Sequence, residues 1–412
     1  MTTMGTVGEE SPGWSGLWPL DPGIAFLNHG SYGACPREIL DLQAALRAEL
    51  EAEPVRFLGR QLDDRLDAAR AALAAFVGAD ADDLAFVGNA TSGVNAVLRS
   101  MRVSSGDELL TTDHCYQACR NTLDFVAERG GAKVVVVTLP FPVAAPQQIV
   151  DTVLAGVSPR TRLCLLDHIT SPTALVLPIE ALVRGLAARG VDTLVDGAHG
   201  PGMVPLDLRA LGAAYYTGNC HKWLCTPKGS AFLWVRRDRQ AEIHPLTISH
   251  GANGVRAGRT RFRLEFDWTG TADPTPYLAL PAAIRYLGSL VPGGWPGLMD
   301  ANRTLVRAGR DLLCDALGVV APAPDEMLGS MAAVPLPPGD PSALPPGTAS
   351  LGDVLFEAHH IEVPITMWPV DAARAAEDGT PTRFVRISAQ RYNHIGQYAA
   401  LADALLEILG PS

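Results

Sequence analysis

Between residues 84 and 235 the chain alternates short apolar runs, at 84–87, 134–139, 162–167, 193–196, 215–217 and 232–235, with stretches of helical period. Runs that short, rich in branched and aromatic residues, read as strands buried on both faces, and the helical stretches between them supply the crossovers that parallel neighbours require. The pattern predicts an α/β fold built on a mostly parallel sheet with helices on both faces. In such open sheets ligands bind beyond the carboxyl ends of the strands, and here the polar residues of interest cluster just after the apolar runs.

At 412 residues the chain exceeds the usual size of one domain. We expect an irregular arm over 1–25, a large α/β domain over 26–265 and a smaller α+β domain over 266–412. A helical pattern begins at Pro36 and runs through Leu40, Leu42, Ala45 and Leu50; it is expected to pack on the smaller domain. Beyond about 260 the rhythm changes: one long Pro/Gly-rich irregular loop over 321–347, a helix near 352, a strand over 383–388 and a closing helix.

Acidic residues outnumber basic ones by 44 to 33, and no block of basic residues could track a phosphate backbone, so nucleic acid is not an expected partner. Nowhere do 18 apolar residues follow one another, and the start of the chain lacks a basic segment leading into an apolar run, so neither a membrane span nor export is expected. Cys35, Cys115, Cys119, Cys164, Cys220, Cys225 and Cys314 are odd in number and lack paired zinc-type spacing, which fits a reduced, cytoplasmic setting. The basic residues include only three lysines, Lys133, Lys222 and Lys228. A lysine inside an apolar segment therefore needs its own explanation.

Lys222 is such a residue, in Tyr215-Tyr216-Thr217-Gly218-Asn219-Cys220-His221-Lys222-Trp223. A desolvated lysine has a lowered pKa, and only the neutral amine condenses with an aldehyde. Upstream, Val195-Asp196-Gly197-Ala198-His199-Gly200 places a carboxylate at the end of an apolar strand, where it can bind a protonated pyridine nitrogen, with His199 in reach of a ring hydroxyl. A third segment, Gly88-Asn89-Ala90-Thr91-Ser92-Gly93, joins a strand to a helix beginning near Val94 and offers backbone N–H groups to a phosphate.

Each segment has a plainer explanation. A strand-end aspartate can cap a helix or form a turn, a Gly/Thr/Ser loop can be a cap, and a lysine beside aromatics can snorkel to the surface. The three in this order, each after a strand of one alternating pattern, point together to a pyridoxal 5'-phosphate (PLP) site.

With these residues in view the chain resembles the fold-type I PLP enzymes of the class V aminotransferase group, which includes cysteine desulfurases, and within it the branch typified by isopenicillin N epimerase and the ergothioneine C–S lyases. The likeness runs from Phe26-Leu27-Asn28-His29-Gly30-Ser31 through Thr111-Thr112-Asp113-His114-Cys115-Tyr116 to Arg386-Ile387-Ser388-Ala389-Gln390-Arg391-Tyr392-Asn393. The resemblance implies that Lys222 is the Schiff-base lysine, that Asp196 pairs the pyridine nitrogen and that His199 lies near the ring oxygen. Thr91, Ser92, Asn219 and His221 would hold the phosphate, Ser171 would join the cofactor-binding set, and Thr271 would reach the phosphate of a neighbouring subunit in a homodimer with shared sites. Either His114 or Tyr116 would stack on the ring, unless it is packed in the core, and both are candidate catalytic groups. Arg386, in an apolar strand, would bind a substrate carboxylate in bidentate fashion or else form a structural salt bridge; Asn28 and His29 stand on the same substrate side.

Where two desulfurase groups carry a sulfur-accepting cysteine, this chain reads His359-His360-Ile361-Glu362-Val363-Pro364-Ile365. Persulfide transfer by that route is not expected, and the adjacent histidines without further ligands are not read as a metal site. The resemblance implies chemistry at the alpha carbon of an amino acid, first C–S cleavage of an S-substituted cysteine, with a place in secondary metabolism. Epimerisation, transamination, a decarboxylation-dependent oxidative deamination and a non-catalytic PLP-binding role stand as alternatives.

Overall fold

The computed structural model describes residues 13–337, 350–369 and 382–410. Twelve strands are seen among them: β1 (Ala25–Phe26), β2 (Leu84–Val87), β3 (Glu108–Thr112), β4 (Lys133–Val137), β5 (Thr161–Asp167), β6 (Asp192–Asp196), β7 (Tyr215–Asn219), β8 (Ala231–Val235), β9 (Met331–Pro335), β10 (Ile361–Glu362), β11 (Ile365–Trp368) and β12 (Thr382–Ser388). Seven of these form the main sheet, in the order β2-β8-β7-β6-β5-β3-β4. β7, β6, β5, β3 and β4 run parallel, whereas β8 runs antiparallel to both of its neighbours, so the sheet is mixed.

Helices cover both faces. On one, Leu62–Val77 and Ile179–Ala187 pack on Leu110, Cys164, Leu166 and Val195; on the other, Ala90–Ser100 and Gln117–Gly130 pack on Leu109, Leu163, Leu165 and Leu194. Alternate residues of the same strand serve opposite cores, because side chains of a strand point to opposite faces. The strands are therefore apolar without alternation, which is why they stand out in the sequence.

The C-terminal part is built on a three-stranded antiparallel sheet, β11-β12-β9, covered by Gly294–Leu317 and Ile395–Leu409. One expectation is corrected here. The stretch 321–347 is not one irregular loop: Met331–Pro335 is buried in β9 and pairs with β12, Arg386 lying opposite Ala333. Flanking prolines and small residues hid it; the end of that stretch, 338–347, lies outside the described residues. Residues 25–27 pack with elements of the C-terminal part. β1 pairs in parallel with β10, and Leu27 is buried among Leu355, Val385 and Tyr398.

The helix Arg37–Ala52 starts at Pro36, its N-cap, and packs through Cys35 and Ile39 on Ala279 and Ala283, with Gln43 Nε2 donating to Thr275 Oγ1 at 3.2 Å. The described part of the expected arm is held by Trp18, buried against Tyr392 at 5.2 Å between ring centroids. The two adjacent histidines fall at a helix end: His359 closes Leu351–His359 and His360 takes the left-handed C-cap at φ 57°. Among the described residues, no helix is long and apolar enough to cross a membrane.

Candidate active site

The carboxyl ends of β5, β6 and β7 meet the start of the helix Ala90–Ser100 around a cavity of about 630 Å³, within the range of small-molecule sites. Thr91, Ser92, Tyr116, Ser171, Asp196, His199, Asn219, His221 and Lys222 all line it, gathered from five loops far apart in sequence. Two glycines permit the approach. A Cβ on Gly93 would stand 2.2 Å from Thr217 Oγ1, and one on Gly33, at φ 71°, would stand 2.2 Å from the His221 carbonyl oxygen. The first lets the helix lie against β7 and the second lets the N-terminal segment lie against the Lys222 loop.

Lys222 lies at the end of the Gly218–Lys222 segment, with Nζ 3.1 Å from His199 Nε2. The indole of Trp223 can only donate, so His199 Nδ1 accepts its N–H at 3.4 Å. Burial holds His199 well below its usual range and therefore neutral, which leaves its hydrogen on Nε2, pointing at Nζ. An ammonium could not accept that hydrogen; a free amine can. Burial and then the charge of Arg386 lower Lys222 to about 8, which favours the same state.

Asp196 ends β6 and is buried; Oδ1 accepts the Ala198 N–H at 3.0 Å and Oδ2 accepts from Cys119 Sγ at 3.1 Å. Asp167, at the end of β5, lies opposite it in register and also lines the cavity. Sequence reasoning passed over Asp167, although it closes its apolar run as Asp196 closes the next. Asn95, Ser31, Tyr32 and Leu246 are further lining residues that no sequence signal marked.

The expected anion site takes a different form from a set of bare amides. The helix begins at Ala90, four residues earlier than Val94, and two of its first N–H groups are already satisfied: Ala90 donates to Asn219 Oδ1 and Ser92 to Asn89 Oδ1, each at 2.8 Å. What remains for a ligand is Thr91 with its N–H and hydroxyl, the Ser92 hydroxyl, the Asn219 amide N–H and the helix dipole; His221 donates Nδ1–H to the Ser230 carbonyl at 2.9 Å, so its Nε2 is an acceptor. Burial lowers His221 to about 4.

Arg386 is 4% exposed, and its guanidinium donates only to neutral oxygens: the Ser171 carbonyl at 2.6 Å and Oγ at 3.2 Å, Ser31 Oγ at 2.9 Å and Asn28 Oδ1 at 3.4 Å. Burial lowers it to about 10. No carboxylate of the described residues pairs with it, which leaves, among them, a buried cation suited to an anion.

Four candidates are placed elsewhere. His114 is fully buried with its ring 4.0 Å from that of Trp368, its Nδ1 3.0 Å from Asp113 Oδ1, and does not line the cavity, whereas Tyr116 does. The turn after β3 packs His114 onto Trp368 and leaves Tyr116 at the cavity. His29 lies behind the lysine: Nε2–H donates to the Lys222 carbonyl at 3.0 Å, the Tyr392 hydroxyl donates to Nδ1 at 2.7 Å, and burial lowers it to about 3. Asn28 orients Ser31 and Arg386 from below rather than facing the cavity. Thr271 is exposed and lies outside the cavity lining.

These groups fit PLP in kind: a lysine of lowered pKa, a buried carboxylate for a pyridine nitrogen, hydroxyls at a helix start for a phosphate and, for a carboxylate, a guanidinium whose partners among the described residues are neutral. Comparison with known proteins agrees. The family "Aminotransferase class-V" matches residues 36–291. Isopenicillin N epimerase of Streptomyces clavuligerus is 36% identical over 95% of this chain and 96% of its own length. A putative L-cysteine desulfhydrase 1 of Oryza sativa subsp. japonica is 34% identical over 94% of this chain and 84% of its own length. Among solved structures, the cystine C–S lyase C-DES in complex with cysteine persulfide has a TM-score of 0.76 at 21% identity, covering 95% of this chain and 99% of that one. The cysteine desulfurase CsdA of Escherichia coli has a TM-score of 0.77 at 22% identity, covering 95% and 97%. Fold, cavity and kinship agree, and the chain belongs to the class-V aminotransferase family of fold-type I enzymes, whose cofactor is pyridoxal 5'-phosphate.

Proposed function

We propose that this protein is a lyase that cleaves the C–S bond of an S-substituted cysteine. The observation that carries the reading is the buried Arg386, without a carboxylate partner among the described residues, bonded directly to Ser31 and Ser171, which line the cavity that holds Lys222. PLP, when bound, makes the alpha carbon of an attached amino acid acidic by drawing its electrons into the ring.

The protein's own groups do the rest. Arg386 binds the alpha-carboxylate, and the Ser31 and Ser171 oxygens fix the orientation of its fork. Lys222, freed by substrate, takes the alpha proton. Asp196 holds a positive ring nitrogen, and Thr91, Ser92 and the Asn219 amide N–H form the phosphate end, with His221 beside them. A sulfur on the beta carbon then leaves with the C–S electron pair and a proton; with water added, the products are a thiol, pyruvate and ammonia. Where a desulfurase presents cysteine, Ile361 is 2% exposed and paired with Ala25 in β10, which supports release of the intact thiol rather than transfer to the protein.

Incubation with an S-alkyl cysteine should yield pyruvate and the intact thiol in equal amounts, with alpha-deuterium exchange in heavy water and little sulfide from free cysteine. A second reading, epimerisation, is favoured by Tyr116, 44% exposed at the cavity and able to serve as a second acid, and by the 36% identity to isopenicillin N epimerases. Exchange with inversion and no pyruvate would decide for it. Carbon dioxide release without exchange would sink both.

The proposal includes a homodimer in which Thr271, exposed beside Gly270, reaches the phosphate end of the partner subunit's cavity. Sedimentation should then give a dimer at assay concentrations, and Thr271→Ala should loosen PLP about tenfold, the loss of one hydrogen bond to a charged group. A fully active monomer would end this part of the proposal.

A further inference from the structure

Two buried carboxyls stand side by side at the floor of the cavity. Asp167 and Asp196 are partners in register on adjacent parallel strands, whose spacing is about 4.8 Å. They are 3% and 4% exposed. Two ionised carboxylates that close and that buried repel each other, so such a pair keeps one proton between them.

Their hydrogen bonds decide which keeps it. Asp196 accepts on both oxygens, from Ala198 N–H and from the Cys119 thiol. Asp167 accepts on Oδ1 alone, from the Tyr116 N–H at 3.3 Å, and its Oδ2 is fully buried with no partner among the described residues. The other charged and titratable groups facing Asp167 are Lys222 from the loop after β7 and Cys115 and Cys119 from the turn and helix after β3. Of these only Lys222 can carry a positive charge, and it acts on Asp196 as well. Burial raises both carboxyls, Asp167 well above its usual range.

We propose that Asp167 holds a proton at Oδ2, so that the strand-end pair presents a single negative charge, on Asp196, to the cofactor's ring nitrogen, while Oδ1 of the same acid positions Tyr116. The part about the ring nitrogen rests on the functional reading above; the part about the proton does not. Asp167 is a positioning residue: it sets the charge beneath the ring and the place of Tyr116. With both carboxyls ionised the floor would carry two charges against one pyridinium.

Infrared difference spectra of the cofactor-free protein at neutral pH, wild type minus variant, should show a buried protonated carboxyl stretch that is lost in Asp167→Asn and kept in Asp196→Asn. Loss in Asp196→Asn alone, or no such band in the wild type, overturns the assignment. Should Asp167→Asn fail to fold, carbon-13 spectra of aspartate-labelled wild type must show one non-titrating protonated side-chain carboxyl.

In the holoenzyme, Asp167→Asn, which replaces a neutral acid by a neutral amide, should move the pH midpoint of the cofactor absorption by less than about half a unit. A shift of about one unit or more, the effect of deleting a nearby charge, overturns the proposal. Asp196→Asn should move that midpoint. If it does not, the ring-nitrogen reading falls, and the infrared result still judges the proton.

Discussion

Lys222→Ala protein should bind PLP without a covalent bond: borohydride should trap no cofactor on the chain, and turnover should fall by at least about 10²–10⁴-fold, since the variant loses its proton carrier as well as its anchor. The structure makes the expectation sharper than a motif can. The Trp223–His199–Lys222 chain of hydrogen bonds suits the neutral amine, and burial lowers Lys222 to about 8, which raises its share. At pH 7 roughly a tenth of the amine is then uncharged, against well under a thousandth for an ordinary lysine. Covalent capture of PLP by the cofactor-free protein should therefore accelerate as pH rises and level off above about 8, because the depressed pKa puts the change in the neutral range. The stability linkage has the opposite sense to that of a paired lysine. The folded state binds this proton less tightly than the unfolded chain does, so the cost is fully present below about 8 and fades as pH rises towards the unfolded value. Trapping on Lys133 or Lys228 in the variant would refute the assignment of Lys222.

Asp196→Ala should lower kcat by about 10²–10³-fold, the usual effect of removing one preorganised electrostatic partner, while PLP affinity falls much less. The carboxylate is needed most as negative charge develops at the alpha carbon and spreads to the ring, and least when the cofactor merely sits in the cavity. Spectrophotometric titration with PLP and steady-state turnover separate the two. Near-wild-type turnover would rule out the role. The substitution also strips the Cys119 thiol and the Ala198 N–H of their acceptor. Asp196→Asn, which keeps an acceptor and removes the charge, should show the same loss of turnover if charge is the cause.

Much of this was legible because fully buried strands carry their signal in uninterrupted apolar runs. β5 to β8 fall within a residue or two of the runs at 162–167, 193–196, 215–217 and 232–235. β3 escaped that reading: Glu108, Thr111 and Thr112 look polar, yet all are buried, Glu108 against Arg160 and Ser158 and Thr111 donating to the Leu165 carbonyl. β9 escaped it for another reason, since Met331-Ala332-Ala333-Val334-Pro335 is short and hemmed by prolines, and only its pairing with β12 makes it a strand. Within the site, Asp167 obeys the rule that exposed Asp196 and was missed because no further motif surrounds it.

The sequence alone determined the class of fold, the family and the set of chemical groups, since apolar period, strand-end polar residues and a lone lysine among aromatics are local properties of the chain. The tertiary structure decided which of those groups meet. His114 and Tyr116 are two residues apart, and only Tyr116 reaches the cavity, because the turn after β3 turns His114 onto Trp368. Asn28 and His29 stand behind Arg386 and Lys222 rather than beside them. The proton states of the lysine and of the two carboxyls follow from burial and hydrogen-bond partners, and those arise only when segments up to some hundreds of residues apart are packed together.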